Sequence, residues 1–372
     1  MTITIKEVTT AKDRKTFIYL PEKIHQGHAG WLPPLYADEK KYFDPDKNPS
    51  FRSCDYRMVL ALKDGAPAGR IMGIINRKHN ETLGLKNARF GFMECFNDPE
   101  TFHALISDVE TWGRQRGMER IVGPFGFSDR DIQGFLVEGF EYEPVVDSAC
   151  NFAFMPDLLS KEGYVKDIDC VIYRYPLDTP LPDIFERMYQ RTLAKKTFRF
   201  IEFTSRKALK PFIVPVLRLV NESFAGIYGF LPMDETEMFD LAKRYLPILD
   251  PKFVKIVTRD GKVVGMMIAM PNCYRGLQKA RGRLFPFGLF HILHAMRRAE
   301  TVNTMLGAVH PSCQKLGLDM FLGMSTIATA RKAGMKSVDT HVVMEENNSM
   351  MHELQRYGAH LIKKFRVYKK DL

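Results

Sequence analysis

Between Thr304 and Gly323 the sequence reads TMLGAVHPSCQKLGLDMFLG, an order of residue types that suits phosphate binding beside an acid–base group. Met305 to Val309 is apolar enough to lie inside a sheet and stops at His310-Pro311, where proline has no N–H for a ladder. Ser312 to Asp319 then offers a run of backbone N–H groups at a helix start. Gly317 removes a side chain where a ligand must come close, and such a start attracts phosphate. The helix is expected from about Leu318 to Lys332 with Gly334 as its stop, followed by a strand from Ser337 to Met344. His310 stands at the strand end as a candidate base or a packing residue. Glu222 is a carboxylate on an otherwise apolar helical stretch around Pro215 to Phe224, and it is a second candidate base.

These residues resemble the pyrophosphate loop of the GNAT superfamily of acyl-CoA N-acyltransferases. That loop has Gln or Arg, two residues, Gly, one residue, then Gly or Ala; here Gln314, Gly317 and Asp319 stand at those places, so Asp319 departs. Asn347 and Gly358 keep the family's spacing around its last helix. The resemblance implies an α/β fold with a mixed sheet, built as two GNAT-like domains in tandem. It also implies acyl-CoA, acetyl or long-chain, as co-substrate. Its contacts would come from Ala308, Val309, His310, Gln314, Lys315, Leu316, Gly317, Leu318 and Asn347, with an amine as acceptor and no metal. The implied chemistry is direct transfer: a neutral amine attacks the thioester while a backbone N–H of the strand spanning Met305 to His310 polarises the carbonyl. The family's usual tyrosine acid falls at Leu354. Tyr357 is the nearby candidate.

The elements that must position this site occupy a chain of 372 residues, 45% apolar, with a formal charge of +10. That size supports two domains or one large one. The charge implies an anionic partner, whether a phosphorylated cofactor, a membrane surface or nucleic acid. Basic residues are spread along the chain without interleaved aromatics, so no nucleic acid is expected. Six cysteines without a CxxC argue against zinc and against a disulfide framework. MTITIKEVTT has no apolar core of a leader, and no apolar run reaches a membrane span of about 18 residues. A cytoplasmic protein, or one peripheral at the inner membrane, is expected.

Order repeats within the chain. MVLALKDGAPAGRIMGII aligns with VKIVTRDGKVVGMMIAMP, pairing the hairpin signals Asp64-Gly65 and Asp260-Gly261, and Gly117-Met118 aligns with Gly334-Met335 at the helix ends. The expected domains are 1–180, a copy without a phosphate loop, and 181–372, the copy with the CoA site. After its strand ending at Phe96 the first copy has NDPETFHAL, without glycine and with carboxylates at the loop position, so no CoA is expected there. Residues 221–238, an aromatic and glycine-bearing loop, match the segment that borders the acceptor groove in two-repeat members.

The second copy carries extra residues in NCYRGLQKARGRLFPFGLFHILHAMRRAETV. Its apolar block from Leu284 to Leu293, flanked by Arg275, Lys279, Arg281, Arg283, Arg297 and Arg298, suits a membrane interface through 284–298, a tunnel for an acyl chain, or a packed helix. Two functions remain. One is an N-acyltransferase moving a short acyl group to a small amine, or a long one to a lipid amine such as a sphingoid base. The other is an inactive GNAT-fold binding protein acting at a membrane or on a protein partner.

Overall fold

The computed structural model describes residues 2–194, 197–225, 230 and 232–372. The chain forms two compact units: Met1–Val171 with Tyr274–Ile292 and Lys363–Leu372, and Ile172–Cys273 with Leu293–Ile362.

In the first unit, strands β1 (Ile3–Glu7), β2 (Cys54–Lys63), β3 (Ala66–Asn76) and β4 (Asn87–Cys95) are successive antiparallel neighbours. The β2–β3 turn is the expected Asp64-Gly65, with φ of +50° and +81°. Positive φ at both central residues is the type I′ form, whose twist matches that of the flanking strands. The helix Pro99–Gln115 leads into β5 (Arg120–Gly123), which lies parallel to β4. The last strand, His360–Asp371, pairs β5 through Tyr368–Asp371 and β6 (Phe135–Glu138) through Lys364–Arg366. Phe102, Leu105, Ile106 and Val109 recur at helical spacing and bury one stripe of Pro99–Gln115 on the sheet.

The helix Ala11–Ile24 belongs to a second core of this unit with Phe17, Phe43, Met72 and Phe127. Thr10 caps it by accepting from the Asp13 N–H at 3.1 Å. The sequence suggests an end at Leu20, because Pro21 cannot donate to the carbonyl four residues back; the helix nevertheless continues to Ile24. The carbonyl left over, that of Phe17, accepts from the Arg70 guanidinium at 2.8 Å. That bond replaces the missing one and fixes Arg70.

The second unit repeats this order. Strand β7 (Val165–Pro176) enters it at Ile172, β8 (Arg199–Glu202) pairs β9 (Val254–Arg259), and β9 pairs β10 (Lys262–Pro271) through Asp260-Gly261. Strand β11 (Thr301–Val309) is antiparallel to β10, and the helix Leu318–Lys332 leads to β12 (Ser337–Asp339), parallel to β11 and antiparallel to β7. One core holds Met320, Met324 and Ile327. Another holds Val216, Leu217, Leu219 and Val220 of the helix Ile213–Phe224 against Ile256 and Met266.

The expected strand from Ser337 to Met344 is broken. Strand β12 stops at Asp339, and β13 is only Val343–Met344. Thr340 turns to the neighbouring strand instead: its N–H donates to Tyr173 O at 2.8 Å and its Oγ1 accepts from the Tyr173 N–H at 3.0 Å. The extra segment becomes two helices, Tyr274–Ala280 and Gly288–Arg297. It is tied into the first unit by Tyr36 N–H to Gly282 O at 3.0 Å and by Arg283 to Glu22 at 3.0 Å.

Candidate active site

Strands β11 and β12 pair only from Thr301↔Ser337 to Asn303↔Asp339, where β12 ends. Strand β11 runs on to Val309, so Thr304 to Val309 present an edge that β12 does not cover. Among the described residues no strand pairs that edge beyond Asn303, so its N–H groups face outward from the sheet, where a ligand carbonyl could accept from them.

Below the edge, His310 N–H donates to Val264 O at 2.9 Å, and a single 3-10 turn, Pro311–Cys313, reverses the chain. Lys315 and Gly317 both take left-handed φ, +62° and +83°. Gly317 is the N-cap of Leu318–Lys332 and no side chain caps that helix. Its first N–H groups therefore keep their donor capacity, and the helix dipole adds attraction for an anion. Leu318 is buried, which sets the helix against the core, while Leu316 is exposed beside it. Gln314, Lys315, Leu316, Gly317 and Leu318 thus form one short loop at one helix end.

His310 and Glu222 come together. His310 Nε2 lies 3.4 Å from Glu222 Oε2, and Ser223 Oγ donates to Val309 O at 3.3 Å, which holds the helix Ile213–Phe224 on the strand end. His310 Nδ1 accepts from the Ser312 N–H at 3.1 Å and lies 2.7 Å from Ser312 Oγ. A ring nitrogen that accepts carries no hydrogen, so the neutral ring holds its hydrogen on Nε2, towards Glu222. Within the pair the proton acceptor is the Glu222 carboxylate.

Tyr357 lies beside the helix that follows the loop: after burial and Glu353, the Asp319 charge contributes to raising its phenol pKa, and its hydroxyl stands 3.5 Å from where a Cβ on Gly323 would lie. It is buried against Phe185, with ring centroids 4.4 Å apart, and its hydroxyl donates to Glu353 Oε1 at 3.0 Å. Burial pushes its phenol well above the usual range, with Glu353 adding to the shift. Asn347 caps the helix Asn348–Tyr357, its side chain accepting from the Met350 N–H at 3.2 Å. Residues 226–229 and 231, in the segment expected to border an acceptor, lie outside the described residues.

One residue with a perturbed proton was not anticipated. Burial first, and then the Asp319 charge, raise the Glu353 carboxyl to about 7. A carboxyl that holds a proton up to near neutrality adds no second negative charge beside Asp319. The four-residue spacing of Glu353 and Tyr357 on one helix was a signal for it. Among the described residues no group of three His, Cys, Asp or Glu side chains could hold a metal ion.

A strand opening away from its parallel neighbour beside an uncapped helix start, present with its hairpin in both units, defines the fold of the GCN5-related N-acetyltransferases (GNAT) in tandem form. A tandem GNAT protein from the clavulanic acid biosynthesis pathway superposes over 100% of this chain and 98% of its own at a TM-score of 0.56 and 11% identity. A GCN5-related N-acetyltransferase from Sphaerobacter thermophilus does so over 99% and 95% at 0.52 and 11%. In sequence, the chain is similar to the bacterial ceramide synthase of Caulobacter vibrioides (strain NA1000 / CB15N), 26% identical over 377 residues covering 100% of this chain and 98% of that protein. It is also similar to protein YghO of Escherichia coli (strain K12), 23% identical over 375 residues, 99% and 95%. No family model matches the chain.

Proposed function

We propose that this protein is an acyl-CoA-dependent N-acyltransferase that moves a long acyl chain to the amine of a lipid such as a sphingoid base, working at a membrane surface. The observation that carries the reading is the uncovered β11 edge next to the Gly317 helix start, with Glu222 and His310 at the strand end. Full-length likeness to a protein named ceramide synthase supports the lipid acceptor.

Acyl-CoA supplies the activated thioester. The chain supplies the rest. The N–H groups of Lys315 to Asp319 and the helix dipole bind phosphate. An N–H on the Thr304–Val309 edge donates to the thioester oxygen, where negative charge grows during attack. Glu222 accepts the proton of the attacking amine, and His310, clamped by Ser312, aims that carboxylate. Tyr357, sealed against Glu353, is not assigned to the leaving thiolate.

The membrane part rests on the segment 284–298. Phe285 is 82% exposed, Phe287 68% and Phe290 65%, beside exposed Lys279 and Arg281. Three such aromatics next to basic residues form an apolar, cationic surface suited to an anionic bilayer. No helix among the described residues is long and apolar enough to cross a membrane.

Native mass spectrometry with acetyl-CoA and palmitoyl-CoA tests the reading. Saturable binding, tighter for palmitoyl-CoA and abolished by Gly317→Glu, is expected. Absence of binding to either thioester contradicts it.

A further inference from the structure

Glu22 and residues between Lys279 and His291, all in the first unit, line an open cup of about 410 Å³ that the acyl-transfer chemistry does not use. That volume lies within the range of about 300 to 1,000 Å³ usual for small-ligand sites. Lys279, Arg281 and Arg283 bring charge to the wall, and Phe285 and Phe287 stand at it as exposed rings.

Close packing holds the cup in shape. A Cβ on Gly276 would come within 2.6 Å of His291 O, and one on Gly282, at φ +69°, within 2.2 Å of Pro34 O, so glycine alone fits either place. Arg283 is the strut between them. Its Nη1 donates to Glu22 Oε1 at 3.0 Å and to Arg281 O at 2.7 Å, its Nη2 donates to Glu22 Oε2 at 3.0 Å, and its guanidinium lies 5.1 Å from the Tyr36 ring centroid. Arg281 takes φ +48°, so the turn that carries it is fixed by its own carbonyl and by Gly282.

Charge and exposure then select the occupant. The Glu22 carboxylate is matched by Arg283 through both oxygens. Lys279 and Arg281 are exposed and, among the described residues, neither has a carboxylate partner. Two accessible cations beside a neutralised pair complement a phosphodiester, which a guanidinium can meet with two parallel N–H bonds. A zwitterionic head group would bring its own ammonium against these cations, and Glu22 offers it no uncompensated charge. A small soluble phosphate satisfies the cations but leaves Phe285, 82% exposed, and Phe287, 68% exposed, in water; the acyl chains of a lipid cover them.

We infer that this cup is a binding site for the head group of one anionic phospholipid of the phosphatidylglycerol type, its phosphate held by Lys279 and Arg281 and its acyl chains lying against Phe285 and Phe287. The inference deepens the membrane part of the reading above, and rests on it, by replacing a diffuse attraction to anionic lipid with a single built site.

Monomeric dihexanoyl-phosphatidylglycerol, kept below its micelle concentration, tests this by native mass spectrometry of the full-length protein, alongside dihexanoyl-phosphatidylcholine, glycerol 3-phosphate and a hexaglutamate peptide. One saturable molecule of the anionic lipid, bound about 10-fold or more tighter than each of the other three, is expected. Lys279→Gln with Arg281→Asn, asparagine being tolerant of the left-handed φ, should weaken it about 10- to 30-fold at an unchanged melting temperature. Lys12→Gln with Lys15→Gln removes the same charge from exposed positions outside the cup and should leave it unchanged. No saturable binding, equal affinity for phosphatidylcholine, glycerol 3-phosphate or the peptide, or an equal loss in the two double variants overturns the inference. Sedimentation with anionic vesicles and acyl-CoA binding on the same samples separate it from the reading it rests on. Vesicle and thioester binding without the monomeric lipid sinks only this site, whereas lipid binding without thioester binding sinks only the acyl-transfer reading.

Discussion

Glu353 gives a sharp test of how the second unit manages charge near its helix start. Its folded carboxyl titrates at about 7 against an ordinary 4.5. The folded state therefore holds a proton that the unfolded chain releases, and stability is full below pH 4.5 and declines as pH rises through 7. Integrated between pH 5 and pH 8, the difference is about 2.5 kcal/mol. Glu353→Gln keeps an oxygen to accept from Tyr357 and removes the titration. The assay is denaturant unfolding of both proteins across that range, read as variant minus wild type so that other titrations cancel. The variant should gain about 2 to 3 kcal/mol relative to wild type from pH 5 to pH 8. A difference that stays flat with pH, or that moves against the variant as pH rises, refutes the reasoning.

Other expectations concern the site directly. Glu222→Gln should lower kcat about 10²- to 10⁴-fold with little change in KM for the thioester, since the lost group acts on the amine proton. His310→Asn should lower kcat less, because it removes only the clamp on Glu222; an equal loss would make the ring itself the base. Gly317→Ala should destabilise by about 1 to 2 kcal/mol in urea, since its φ is +83° and a Cβ would meet Thr192 Oγ1 at 3.4 Å. Replacing Phe285, Phe287 and Phe290 together by Ser should cut sedimentation with anionic vesicles at least 10-fold at an unchanged melting temperature, each buried Phe contributing about 1.5 to 3 kcal/mol.

Much of the second unit was legible because its signals are local. Asp260-Gly261 dictates a hairpin through backbone φ alone, Pro311 ends a strand, and Gly317 starts a helix whose bounds, Leu318–Lys332, emerge as expected. The Glu222–His310 pairing is different, since it depends on how the helix Ile213–Phe224 docks on β11, and no spacing in sequence encodes that. The same limit hid the Glu94 cluster. Arg70 and Glu94 face each other only through the β3–β4 ladder, Arg70 is fixed by a carbonyl freed by Pro21, and His25 reaches Glu94 from just past the end of the helix Ala11–Ile24. The break after Asp339 was illegible for a further reason, because Thr340 exchanges strand continuation for bonds to a residue 167 positions away. The exposed aromatics at 285–290 suited packing or a membrane interface equally well until their solvent exposure was known.

The central claim is tested most directly by incubating the purified protein with palmitoyl-CoA and a long-chain amino alcohol and analysing the lipid extract by mass spectrometry. The account predicts an N-acyl amide formed in step with free thiol, lost in Gly317→Glu and strongly reduced in Glu222→Gln. Thiol release without amide, or amide formation that survives Gly317→Glu unchanged, would contradict it.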